Sequence, residues 1–220
     1  MKKPEIMIVA GPSAVGKTTV ATEIIGIDSR FEFVRSVTTR AKRGDAFDDE
    51  YIYLSKEEFL ECRRTGGVLE STEYAGAFYG TPRSEVERIS GENKIPLLVL
   101  DTRGVMSLMA HEDISTCAVY VYDDVNVMEK RLYDRFLGAS PSVEGLRKFT
   151  SRKDKNIEDY REIRNTAPYF YTFVENSGTV RETAEKLISV FSEFCAGVSR
   201  NDSAVSSVAE KLAQSVENKT

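Results

Sequence analysis

Gly11-Pro12-Ser13-Ala14-Val15-Gly16-Lys17-Thr18 is the stretch on which the fold turns, because it fits the phosphate-cradling pattern G-x-x-x-x-G-K-[ST] without a mismatch. It follows an apolar run, Ile6-Met7-Ile8-Val9-Ala10, and precedes Val20, Ile24, Ile25 and Ile27 at helical spacing. Strand before and helix after is the context in which such a loop binds phosphate, and it counts against a bare glycine turn that binds nothing. Glycines let backbone N–H groups converge on phosphate oxygens, and the helix N-terminus adds partial positive charge. Lys17 can reach the outer phosphates, and the Thr18 hydroxyl can ligate Mg²⁺.

Outward from the loop, the sequence predicts a strand at Phe31-Glu32-Phe33-Val34, then a polar stretch from Arg35 to Arg43 and an acidic loop from Asp45 to Glu50. Tyr51-Ile52-Tyr53-Leu54 resembles a strand. Ser55-Lys56-Glu57-Glu58 is a capping box for a helix carrying Phe59, Leu60 and Cys62, which Gly66-Gly67 ends. Val68-Leu69-Glu70 and Ala77-Phe78-Tyr79-Gly80 are expected as strands about a turn, with a helix over Thr81 to Ile89. Ile95 to Leu100 and Cys117 to Tyr122 are nearly all apolar and run into Asp101 and Asp123, as strands buried on both faces do. A last strand at Tyr171 to Val174 precedes a helix over Val180–Phe194.

Strands alternating with helices predict an α/β fold with a mostly parallel core sheet. The core is expected over 1–34, 91–125 and 166–197. A smaller inserted subdomain is expected over about 35–90 and a mobile helical lid over about 126–165. The tail, 198–220, has an apolar stripe of Val205, Val208, Leu212 and Val216 that suits a docking helix and a frayed end equally.

Composition narrows the function classes. Among 220 residues, 41% are hydrophobic and 30% charged, as in a soluble globular chain. A net charge of −5 argues against a nucleic-acid partner. No apolar stretch approaches the ~18 residues that span a bilayer, so no membrane association is expected. Three scattered cysteines and a single histidine, His111, support neither a disulfide framework nor a zinc site. With no signal-peptide apolar run behind Met1-Lys2-Lys3-Pro4, a cytoplasmic protein, monomer or homodimer, is the expectation.

The loop specifies a triphosphate; the second substrate lies elsewhere. Arg40 and Arg43 stand three residues apart among hydroxyl groups in Ser36-Val37-Thr38-Thr39-Arg40-Ala41-Lys42-Arg43, and guanidinium forks suit bidentate phosphate binding. That run, with Gly44, Tyr51, Glu70 and Tyr79-Gly80-Thr81, closely resembles the GMP-binding elements of guanylate kinases, and the Pro-Ser pair in the loop is similar to that family's form of it. The resemblance extends over about residues 5 to 195.

It implies a three-layer P-loop kinase fold with an NMP-binding subdomain and lid, phosphorylating GMP, and dGMP with it, from ATP with Mg²⁺. By that resemblance Gly11, Ser13, Ala14, Val15, Gly16, Lys17, Thr18 and Thr19 would hold ATP, Thr18 the Mg²⁺, and Asn176 would lie on the adenine side. Ser36, Arg40, Arg43, Tyr51 and Tyr79 would hold the GMP phosphate, and Glu70 and Thr81 would contact the guanine edge. The chemistry agrees, since guanine offers N1–H and N2–H₂ donors to a carboxylate and O6 to a hydroxyl.

Arg131 and Arg135, at i and i+4 on one helix face, would neutralise the transferring phosphoryl group together with Arg152, for which Arg147 is the rival. The family's Asp-x-Asp appears as Val99-Leu100-Asp101, leaving Asp101, which the resemblance also puts among the GMP-binding residues, alone to order Mg²⁺ waters. Two alternatives are a related kinase acting on a phosphorylated sugar such as ribose bisphosphate, and a non-catalytic guanylate-kinase-like binding module. Glu70 and Thr81 count against the first and the complete phosphate loop against the second.

Overall fold

The structure is a computed structural model that describes residues 3–42, 51–74, 76–138, 141–217 and 219. The first half holds β1 (Glu5–Ala10), α1 (Lys17–Ile27), β2 (Phe31–Phe33), β3 (Ser36–Thr38), β4 (Tyr51–Tyr53), α2 (Lys56–Arg64), β5 (Val68–Tyr74), β6 (Ala77–Pro82), α3 (Arg83–Gly91) and β7 (Ile95–Leu100). Then come α4 (Thr102–Met109), β8 (Ser115–Tyr122), α5 (Val125–Phe136), α6 (Val143–Arg161), α7 (Ile163–Thr166), a 3₁₀ turn at Ala167–Tyr169, β9 (Thr172–Glu175), α8 (Val180–Cys195) and α9 (Asp202–Gln214).

Five parallel strands form the core sheet in the order β2-β7-β1-β8-β9. Successive side chains of a strand point to opposite faces, yet Ile6, Met7, Ile8, Val9 and Ala10 are all 0% exposed. Both faces of β1 are therefore covered, which is why its sequence is continuously apolar rather than alternating. α1 packs on α8, and α4 on β1, β7 and β8.

A second sheet, β4-β3-β6-β5, is built wholly from the 36–82 region. β3 and β4 are parallel, whereas β6 runs antiparallel to β3 and β5. Its core is a small cluster of Val37, Phe59 and Val68 ringed by Ile52, Leu54, Cys62 and Phe78. α2 starts with the expected capping box, Ser55 with Glu58. Where the sheets join, Glu85 accepts from Arg35 (3.0 Å) and Arg88 (3.0 Å), and Arg88 also reaches Glu32 (2.6 Å).

Two expectations change. Thr81 is the penultimate residue of β6, not part of a helix, because Pro82 holds the residue before it extended and α3 starts only at Arg83. The tail forms α9, a docked helix: Val205, Ala209, Leu212, Ala213 and Val216 join the main core, and Arg164 pairs with Glu210 (2.7 Å) and Glu217 (2.9 Å). Apolar burial, more than the exposed ion pairs, holds it there.

Candidate phosphoryl-transfer site

The phosphate loop links β1 to α1. Gly11 has φ 145°, and a Cβ there would lie 2.1 Å from the Val121 carbonyl oxygen, so only glycine lets the loop leave the sheet at this point. α1 starts at Lys17 behind Gly16, which has no side chain to cap it. The first-turn N–H groups of α1 are thus left for an anion. Lys17 Nζ donates to the carbonyls of Gly11 (2.8 Å) and Pro12 (2.8 Å), and burial pushes its ammonium down to about 8. Thr18 and Thr19 are exposed at the mouth.

Beside the loop opens a cleft of ≈ 810 Å³ lined by Ser13, Ala14, Gly16, Lys17, Thr18, Thr19, Arg131, Arg135, Arg152 and Asn176. Sequence positions more than 100 residues apart thus meet around one cleft. Arg131 Nη1 pairs with the buried Asp123 (2.8 Å) and donates to the Ala14 carbonyl (3.4 Å), while Arg152 Nη1 donates to Ser13 Oγ (3.5 Å). The i,i+3 surface pairing of Arg131 with Asp134 that helix spacing allows does not form among the described residues; Glu129 is taken by Lys153 (2.6 Å). Arg147 lies outside this cleft, on a second one of ≈ 1050 Å³ between α4 and α6 that also takes in Asp101, Lys155 and Asp159.

Two buried asparagines brace the loop backbone. Asn176 Nδ2 donates to the Val15 carbonyl (2.7 Å), and its Oδ1 accepts from Thr183 (2.7 Å). Its amide is thus engaged beneath the loop, with only 7% of the residue exposed. Asn156, on α6, accepts from the Ser13 N–H (2.7 Å) and donates to the Ser13 carbonyl (3.0 Å). Asn156 escapes sequence inspection because nothing in its charged surroundings marks it; the faint signal is its i+4 step from Arg152 and i−4 step from the buried Tyr160.

Most of the residues expected on the acceptor side lie on or beside the second sheet. Ser36 stands opposite Tyr51 on β3 and β4, and Glu70 opposite Thr81 on β5 and β6. Gly80 lets β5 and β6 close up here: a Cβ on it would lie 2.7 Å from the Glu70 carbonyl oxygen. Thr81, 2% exposed, donates its hydroxyl to Glu70 Oε1 (2.7 Å). Burial pushes the Glu70 carboxyl up, partly offset by the Thr81 hydroxyl.

Tyr51 and Tyr79 meet edge to face at 6.0 Å, and the Arg40 guanidinium lies 5.2 Å from the Tyr51 ring centroid. Arg40 also donates to the Tyr53 hydroxyl (3.0 Å). Tyr53 went unassigned, although strand alternation puts it on the face of Tyr51 two residues away. Arg43 lies outside the described residues. Asp101 caps α4 through the Gly104 N–H (3.0 Å) and is paired with Lys155 from α6 (3.1 Å), so it ties the end of β7 to α6.

Comparison with known proteins gives the family and supports the fold. The family model described as guanylate kinase matches residues 3–193. A guanylate kinase of Lactococcus lactis subsp. lactis is 31% identical over 172 residues, covering 78% of this chain and 80% of the relative. One from Streptococcus thermophilus is 35% identical over 132 residues, 59% of this chain; the match spans 63% of that relative's length. The crystal structure of guanylate kinase from Anaplasma phagocytophilum aligns with TM-score 0.56 at 21% identity, covering 88% of this chain and 87% of that one, and so supports the fold.

Proposed function

The chain belongs to the guanylate kinase family, and from that premise we propose that it transfers the γ-phosphoryl group of ATP to GMP and dGMP. The observation that carries the proposal is the pairing of a half-buried carboxylate with a buried hydroxyl, Glu70 with Thr81, in a chain that also carries a complete phosphate loop. A sugar phosphate has no need of such a pair; a guanine edge, with two adjacent donors beside an acceptor, does.

In this proposal the second sheet, within about 35–90, is the NMP-binding subdomain. Ser36, Arg40, Arg43, Tyr51 and Tyr79 hold the acceptor phosphate. Glu70 accepts from guanine N1–H and N2–H₂, and the Thr81 hydroxyl turns its proton from Glu70 to O6. The loop amides and Lys17 hold the β- and γ-phosphates; the phosphate charge draws Lys17 off the Gly11 and Pro12 carbonyls and keeps it protonated. Arg131, Arg135 and Arg152 gather on the transferring group as the lid closes and water leaves. The acceptor is already an anionic phosphate oxygen, so positioning and charge stabilisation do the catalytic work and no strong general base is required.

The donor set fits magnesium. The Thr18 hydroxyl at the loop mouth is a hard oxygen donor that would hold it, Asp101 would order its waters, and Mg²⁺ commonly takes its remaining ligands from water and phosphate. There it would neutralise charge on the β- and γ-oxygens.

A coupled assay with ATP and a panel of GMP, dGMP, AMP and ribose bisphosphate tests the function. Turnover with the two guanine nucleotides, and AMP slower by roughly 100-fold or more because it leaves Glu70 unpaired, is expected. Turnover confined to ribose bisphosphate, or none with any acceptor, overturns it.

A further inference from the structure

Ala14 has φ 64°, the left-handed conformation that an L-residue with a Cβ adopts at a cost of roughly tenfold in population. It stands between the two loop residues that the buried asparagines clamp, Ser13 and Val15. In an irregular loop the backbone N–H and C=O groups have no ladder or helix to join, so buried ones need side-chain partners. A primary amide supplies a donor and an acceptor together. Asn156, 4% exposed, uses both on the N–H and C=O of Ser13, as a neighbouring strand would.

We propose that Asn156 is a positioning residue for the donor phosphates. Through Ser13, and jointly with Asn176 at Val15, it holds Ala14 left-handed and so aims the loop N–H groups. The position of Asn156 adds a second role. It stands on α6 one turn after Arg152, which touches Ser13 Oγ, and one turn before Tyr160, whose hydroxyl donates to the Asp123 carbonyl (2.9 Å). The clamp therefore seats α6 on the loop and sets the height from which Arg152 addresses the phosphates. This deepens the phosphoryl-transfer proposal and rests on its premise that the loop binds ATP.

The test is a cycle of Asn156→Ala, Ala14→Gly and the double variant. Calorimetry reads ADP and a non-hydrolysable ATP analogue with Mg²⁺, and steady-state kinetics read KM for ATP and GMP separately. Asn156→Ala should weaken ADP binding and raise KM for ATP by about tenfold, with KM for GMP within about twofold. Glycine reaches the left-handed region freely, so Ala14→Gly should recover about threefold of that loss in the Asn156→Ala background, a gain it does not bring to the intact chain.

Unchanged ADP affinity in Asn156→Ala, or a loss shared equally by GMP and not relieved by glycine at 14, overturns the proposal. Should the variant not fold, hydrogen exchange in the intact chain without nucleotide decides: the Ser13 amide is protected if Asn156 holds it, and exchange at open-loop rates overturns the clamp. Absence of nucleotide binding by the intact chain refutes the transfer function, while Ser13 exchange still decides on the clamp.

Discussion

The two halves of the candidate site are built in opposite ways. The phosphate loop stands on β1, whose residues from Ile6 to Ala10 are fully buried, and its irregular backbone is braced by two buried amides. The proposed acceptor side stands on a separate sheet whose core is three buried residues, and the groups proposed to face its phosphate include partly exposed tyrosines, Tyr51 among them beside Arg40. The contrast teaches that the phosphate loop is braced by buried side chains, whereas the proposed acceptor half has little buried surface of its own and is expected to be the less stable of the two.

Four substitutions break or sharpen that contrast, in falling order of effect. Lys17→Met should lower kcat by about 10³-fold, since it removes the loop's own ammonium from the transferring phosphates. Thermal stability should hardly fall, because the variant no longer buries an ammonium. Near-normal turnover in this variant would refute the assignment of the loop as the catalytic donor site.

Phe59→Ala should cost about 3 kcal/mol, and mainly in the second sheet, because Phe59 is the largest buried side chain of the satellite core. Hydrogen exchange should speed up across 51–82 and KM for GMP should rise while ADP affinity holds. An equal loss of protection in β1 would show that the two halves unfold as one unit.

Glu70→Gln leaves one acceptor facing two guanine donors and sets an NH₂ against the other. A fall of roughly 10- to 100-fold in kcat/KM for GMP is expected, with ADP binding unmoved. Loss of ADP affinity as well would place Glu70 outside a dedicated acceptor site.

The smallest effect concerns Asp159, in the cleft between α4 and α6. Burial pushes its carboxyl up from 3.8 to about 6. The folded chain therefore binds the extra proton between those values, and stability falls as pH rises from about 4 to about 6 and stays lower above. Asp159→Asn removes that penalty. Melts should show a gain on the order of 1 kcal/mol at about pH 7, discounted for solvent screening of a partly exposed group, and none near pH 4. A gain of equal size at both pH values would exclude the carboxylate's charge as its origin.

Much of the architecture was legible beforehand for reasons particular to each element. β1, β7 and β8 announce themselves because parallel strands covered on both faces must be apolar throughout. α2 announces itself because its capping box is local chemistry between Ser55 and Glu58. β3 does not: three residues, two of them Ser36 and Thr38, carry no apolar period and become a strand only through pairing with β4 and β6. Thr81 looked helical because the residues after it are, and Pro82 was the overlooked signal. The stripe on α9 was visible, but an apolar face says only that it must be covered, not by what.

By itself, the sequence determined the phosphate-loop motif and the parallel core, and it supplied the acceptor-side groups on which the proposed function rests. Those depend on backbone conformation, periodicity and functional-group chemistry, all of which are local. Tertiary structure alone decided that Arg152 rather than Arg147 lines the loop cleft, that Arg131 rests on Asp123, that α9 is docked, and that Asn156 clamps Ser13 from 143 residues away. Each of these is a contact between distant segments, and such contacts exist only once apolar burial has packed those segments together.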